Sequence, residues 1–485
     1  MRGLISLYAE PLSSILTDKR IIYIFLSLLF LWQAGTVFAF MVDEFSLAFW
    51  IIALPILIWF SLDDPKKAVA LMLVFTLLDN VSRETFYSHN NIHSFPILEA
   101  LPQSHIIFLL LIPVCWIIRR VLVGEQIYIG KFGWLWLSFA GLWIMKFIIS
   151  AGGLRGIQDG YLLRLLVIIP IYFVYINELK SAEKIIFVMR WAVISSIMMI
   201  GYGYYQLISG DYTIFHVGSN LPYVLHQYVI PAMFLPLFYF WIYLLGAKSS
   251  LERYGGFLLI LLFLVIVPFS LKRGVMLGTY AGFLMSLVMY YRKKIKRFLL
   301  LIPIVAAGLF ISIWALSQSV FNKILSELVF TRLEAISLSN MDSSGALRVI
   351  QIFRGIKMLK EDFLIGLPYA QKFTIELPFI KSITIIDNNY LFIALMGGGL
   401  SLILFLFILF YFYRQSFRLL NLLSDDRQKK ALVIGCIAMV TAMCVGDLFE
   451  TFLVHMRVTP FYLLAFAIIY ILENEELRKR GIKRI

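Results

Sequence analysis

Long apolar runs joined by short polar connectors cover most of the chain, and a single long polar interval interrupts them. A bilayer core about 30 Å thick takes roughly 20 residues of helix, because no water is present there to satisfy an unpaired backbone group. The runs accordingly predict about fourteen membrane-spanning helices, centred near residues 31, 53, 73, 111, 140, 169, 196, 232, 262, 282, 307, 400, 437 and 464. They are continuously aliphatic, without the alternation that an outer-membrane barrel needs. The expected fold class is all-α, a polytopic membrane helical bundle.

The polar interval runs from about Ser317 to Ile386. It divides the chain into residues 1–316 (helices one to eleven), residues 317–386 (a long loop) and residues 387–485 (three further helices and a basic tail). Within the loop, Val349, Ile352, Phe353, Ile356, Leu359 and Phe363 recur at helical spacing, while Gln351, Arg354, Lys357 and Glu361 fall opposite. That pattern predicts an amphipathic helix lying against the membrane surface or the top of the bundle.

Composition agrees with this reading and removes several function classes. Of 485 residues, 61% are hydrophobic and 15% charged, with a mean hydropathy of +0.87, outside the range of soluble globular proteins. The net charge of +14 sits mainly at helix ends, where membrane orientation and anionic lipid account for it, so no nucleic-acid partner is expected. Lysine and arginine bias predicts a multi-pass protein with both termini in the cytoplasm and the intervals 80–103 and 317–386 facing outward. Neither GxGxxG nor GxxxxGK[ST] occurs, and the cytoplasmic connectors are too short for a nucleotide-binding domain. Cys115, Cys436 and Cys444 fall inside predicted helices and indicate no disulfide framework. His89-x3-His93 has a helical ligand spacing but no acidic or cysteine partner at a recognisable interval, so no metal site is expected.

Candidate chemistry gathers at the outer helix ends. Arg164 stands in DGYLLRLLVIIP, Arg273 in PFSLKRGVML with Lys272 beside it, and Arg348 at the start of the amphipathic helix, which also carries Arg354. A charge at the centre of a membrane helix costs roughly 2.5–3.5 kcal/mol, so such groups usually face a cavity or a partner. Guanidinium groups also grip phosphate bidentately and keep their proton. Snorkelling to the headgroups is the plain alternative. Asp387 opens DNNYL, where it could take a proton from a sugar hydroxyl or simply cap a helix. Asn388 and Asn389 could hydrogen-bond a glycan, and Tyr390 could stack on a sugar ring. Asp447, Glu450, His455 and Arg457 add ionisable groups in the last outer turn at no specific spacing.

Three of these stretches, SLKRGVMLGTYAGFL, ALRVIQIFRGIKMLKEDFLIG and DNNYLFIALMGGGLSLILF, resemble in their order the motifs of the O-antigen ligase and polymerase family. The resemblance covers roughly residues 260–410. It implies a metal-independent C-type glycosyltransferase without cofactor, acting at the extracytoplasmic face on an undecaprenyl-diphosphate-linked glycan. By the same resemblance Arg273, Arg164 and Arg348 would hold the diphosphate. The ligases usually carry histidine at the position of Asp387, which tilts the expectation toward a polymerase of polysaccharide repeat units. Its substrates would be lipid-linked oligosaccharide donor and acceptor, with a chain-length regulator as a possible protein partner. The ligase, and a lipid-linked oligosaccharide flippase, are the alternatives.

Overall fold

The computed structural model describes residues 55–481 except 57, 90–103, 151–159, 211–212, 215–221, 226–227, 293–342, 362, 365, 367–374, 378–379, 384–387, 424–425, 454 and 456. Helices dominate these residues: α1 (Pro65–His89), α2 (Ser104–Val123), α3 (Gly130–Ser150), α4 (Gly160–Glu178), α5 (Ala182–Ser209), α6 (Val229–Leu245), α7 (Ser250–Ile266), α8 (Arg273–Tyr291), α9 (Ser343–Glu361), α10 (Asn389–Leu422), α11 (Arg427–Gly446) and α12 (Thr459–Lys479). A 3-10 turn, Val267–Ser270, links α7 to α8. Two antiparallel pairs of short strands lie outside the helices, β1 (Thr213–Ile214) with β2 (Pro222–Tyr223), and β3 (Ile375–Leu377) with β4 (Ile380–Ile383).

Each predicted centre from 73 to 282, and those at 400, 437 and 464, falls within one of these helices. The centres near 31, 53 and 307 lie outside the described residues. Among the described residues five helices are long and apolar enough to cross a membrane: Ala182–Ser209, Ser250–Ser270, Arg273–Tyr291, Asn389–Leu422 and Arg427–Gly446.

The connections sort to two ends. At one end Arg427 Nε donates to Tyr243 O, Arg292 to Leu420 O, Arg120 pairs with Glu178, and Lys429 bonds Glu475 and Glu476. At the other, Val224 N donates to Phe269 O, Asn389 N to Asp447 O, and the Tyr228 and His455 rings stack. Successive helices from α2 to α8 therefore run alternately up and down.

Small residues set the closest crossing. Gly274, Gly278 and Gly282 recur every fourth residue on α8 and face Ala438, Ala442 and Gly446 on α11. A Cβ at Gly278 would stand 2.5 Å from Ala442 O, and one at Gly282 would stand 2.8 Å from Ala438 O. Close backbone approach of this kind replaces the hydrophobic drive that helices lack in lipid.

α10 is two helices. Its backbone leaves helical geometry at Gly398 (φ 80°, ψ 166°), a region open to glycine alone. Tyr390 and Phe405 would lie about 22 Å apart along a straight helix at 1.5 Å per residue. Their rings are 6.2 Å apart, so the arms 389–397 and 399–422 fold toward one another. The break orphans the last carbonyls of the first arm. Lys146 of α3 answers them, its Nζ donating to Leu395 O at 2.9 Å and also to Met396 O. Gly399 N donates to Phe363 O at 2.7 Å, which docks the turn after α9 on the same break.

α9 is present as expected and packs on α10 along one edge. Gln351 and Gly355 are buried, and Met358 and Leu359 pack against Leu395 of α10. Phe353, Ile356 and Phe363 of the apolar stripe stay exposed. Gly355 lets this edge close on α10: a Cβ there would meet Leu391 Cδ2 at 2.7 Å.

Candidate functional site

Arg273 begins α8 and is buried, 7% exposed. Lys272 is the residue preceding the helix. Met276 N donates to Lys272 O at 3.0 Å in the first turn, and the opening N–H groups of a helix point out of its N-terminal end. Those donors and the helix dipole, with two cationic side chains beside them, make this end favourable for an anion.

The turn after α11 meets it. Glu450 is 6% exposed, and its Cγ stands 2.8 Å from where a Cβ on Gly274 would lie. Its Oε1 is 3.5 Å from Arg348 Nη2. The Glu450 side chain thus touches the first turn of α8 at Gly274 and the start of α9 at Arg348. Loss of either partner would strand a charge in a poorly hydrated place.

The same turn fixes the mouth of α10. Asn388 caps that helix by accepting from Leu391 N at 2.9 Å, while its Nδ2 donates to Leu448 O at 3.0 Å. Asn389 is fully buried and donates its backbone N–H to Asp447 O at 2.8 Å. Tyr390 donates its hydroxyl to Cys444 O at 2.8 Å, so its ring belongs to the packing between α10 and α11. Asp447, just beyond the end of α11, is 2% exposed and accepts from Phe452 N at 3.1 Å. Burial pushes its carboxyl up to about 8, with the Phe452 N–H pulling the other way. His455 stacks on Tyr228 with ring centroids 3.4 Å apart, and Arg457 is buried beside it in sequence.

Of the other residues singled out from the sequence, Arg354 is exposed on α9. Arg164 lies in the first turns of α4, and its side chain, like Asp387 and His93 as a whole, is outside the described residues. Glu450 had no assigned role in the sequence, since neither its spacing nor its neighbours announce a partner on α9. Lys146 was visible there only as a charge inside an apolar run.

No curated protein and no solved structure matches the chain. The family model described as O-antigen ligase matches residues 257–406, a stretch that takes in most of α7, all of α8 and α9, and the break in α10. It thus holds Arg273, Arg348 and the mouth of α10 but stops short of Glu450. The match spans 150 of the 485 residues and is consistent with an O-antigen ligase or polymerase-family membrane protein.

Proposed function

We propose that the protein polymerises lipid-linked polysaccharide repeat units, moving a glycan from an undecaprenyl-diphosphate donor to a sugar hydroxyl of the acceptor at the extracytoplasmic face. The observation that carries this reading is that Glu450 pairs with Arg348 and lies against Gly274, the residue after Arg273 at the start of α8. The opposite end collects Arg119, Arg120, Arg427, Lys429 and Lys430, which supports placing that end in the cytoplasm.

In the proposed reaction the acceptor hydroxyl oxygen bonds to the anomeric carbon as the bond from that carbon to the diphosphate oxygen breaks. The electron pair leaves with the lipid diphosphate. Arg273, Arg348 and the N–H groups opening α8 stabilise the growing phosphate charge, and they do so without reorganising because Glu450 and the α8–α11 packing hold them. Lys272 and Arg164 add positive charge along the lipid-diphosphate path. Asp387 receives the hydroxyl proton, and Asn388 with Arg354 borders the glycan. This chemistry needs only fixed cations and one base.

The family description favours a second reading, transfer of finished glycan to a lipid A core or another acceptor. Protein in nanodiscs, given a polyprenyl-diphosphate-linked repeat unit and no other acceptor, distinguishes the two. A ladder of lengthened lipid-linked glycans is expected. Transfer seen only after lipid A core is added would replace the polymerase with the ligase.

A further inference from the structure

A cavity of about 610 Å³ opens at the end of the bundle remote from Arg273, between α6, α7, α8, α10 and α11. Four cations line it: Arg253 of α7, Arg292 after α8, and Arg427 and Lys430 in the first turn of α11. Two are held in fixed directions. Arg427 Nε donates to Tyr243 O at 2.6 Å, and its guanidinium lies 4.0 Å from the centre of the Tyr243 ring. Arg292 Nη2 donates to Leu420 O at 3.4 Å. Among the described residues Arg427 Nη2 is buried without a hydrogen bond, its ion-pair partner Glu252 being 3.6 Å away and half exposed. The rest of the lining is apolar or aromatic, including Phe257 and Tyr290. On the same helix as Arg253 and Phe257, Leu251, Tyr254 and Leu258 are exposed at 82%, 72% and 58%. Their spacing puts them on one apolar face of α7, adjoining the face that carries Arg253 and Phe257.

We propose that this cavity binds the phosphate-bearing headgroup of an anionic phospholipid, whose acyl chains lie along Leu251, Tyr254 and Leu258. Arg427 and Arg292 supply directed hydrogen bonds to phosphate oxygens, and Arg253 and Lys430 supply further positive charge. A soluble phosphate compound would use the same cations but make no use of the apolar face of α7 beside them. A zwitterionic lipid would bring its own cation against four others. The site is separate from the glycosyl-transfer corner and does not depend on that reading.

The test is native mass spectrometry of the full chain, purified in neutral detergent and given equal amounts of cardiolipin and phosphatidylcholine. Selective retention of cardiolipin is expected. Replacing two cations, as in Arg427→Gln with Lys430→Gln, should weaken it roughly 30-fold. The single variant Lys430→Gln should weaken it severalfold and guards against misfolding of the double variant. The charge-matched pair Arg478→Gln with Lys479→Gln, at the same end but outside the cavity, should retain cardiolipin as the unaltered protein does. Equal retention of phosphatidylcholine, undiminished binding in the cavity variants, or equal loss in the Arg478/Lys479 pair would overturn the proposal. Displacement of cardiolipin by millimolar pyrophosphate, with the same thermal stabilisation from pyrophosphate alone, would assign the cavity to a soluble phosphate compound and overturn the lipid.

Discussion

Arg348 Nη2 stands 3.5 Å from Glu450 Oε1, although the two residues belong to different ends of the sequence pattern. The pair ties the start of α9 to the turn after α11, and the Glu450 side chain lies against Gly274 at the same time. Glu450→Gln keeps the shape but loses the charge that orients Arg348. A 10- to 100-fold fall in kcat is expected, roughly what slight misplacement of a charge-stabilising group produces. KM for the lipid-linked donor should change less. Unchanged kcat in a well-folded Glu450→Gln protein would remove Glu450 from the account.

Asp447 gives the protein a pH dependence of definite sign. Its carboxyl ordinarily titrates at 3.8, and in the folded protein burial raises it to about 8. Between those values the folded state holds a proton that the unfolded state has released, so raising the pH lowers stability until the curve levels above about 8. Asp447→Asn should flatten Tm between pH 5 and 8 relative to the unaltered protein. Parallel Tm curves for the two proteins would contradict this.

The α8–α11 crossing should tolerate no added volume at its glycines. Gly278→Val places carbon against the Ala442 carbonyl and should destabilise by about 1–3 kcal/mol or more, read as a lower Tm and reduced folded yield. Gly255→Ala, with open space around it on α7, should leave Tm within a degree or two. Similar losses for both variants would mean that close packing at this crossing is not what matters.

Lys146 should be structural. Lys146→Met removes the donor to the Leu395 and Met396 carbonyls at the α10 break, and a loss of about 1–3 kcal/mol is expected from leaving them unpaired. The chain at Phe363, which docks on the same break through Gly399 N, should become more sensitive to limited proteolysis. Unaltered cleavage and Tm would show that Gly398 holds the bend unaided.

How the sequence announces these features follows from their range. The helices were legible because continuous apolarity and length are local properties, and Arg273 and Arg348 because a cation at a helix start stands out in an apolar chain. The edge by which α9 packs was not, since periodicity marks the apolar stripe while Gly355 lets one edge close on Leu391. The α10 break hid inside an apolar run whose three glycines, 397–399, are equally compatible with a close-packed straight helix. Glu450 was present only as one acid in a turn, because its partners come from α8 and α9 and contact between them is purely tertiary.

The most direct test of the central claim is the glycan length distribution in cells lacking the gene, complemented with the unaltered protein or with Arg273→Ala at matched expression. Loss of one charge-stabilising group should lower kcat roughly 10²–10³-fold. The account predicts single repeat units after deletion, long chains restored by the unaltered protein, and no restoration by Arg273→Ala. Long chains accumulating on the carrier lipid after deletion, or full restoration by Arg273→Ala, would contradict it.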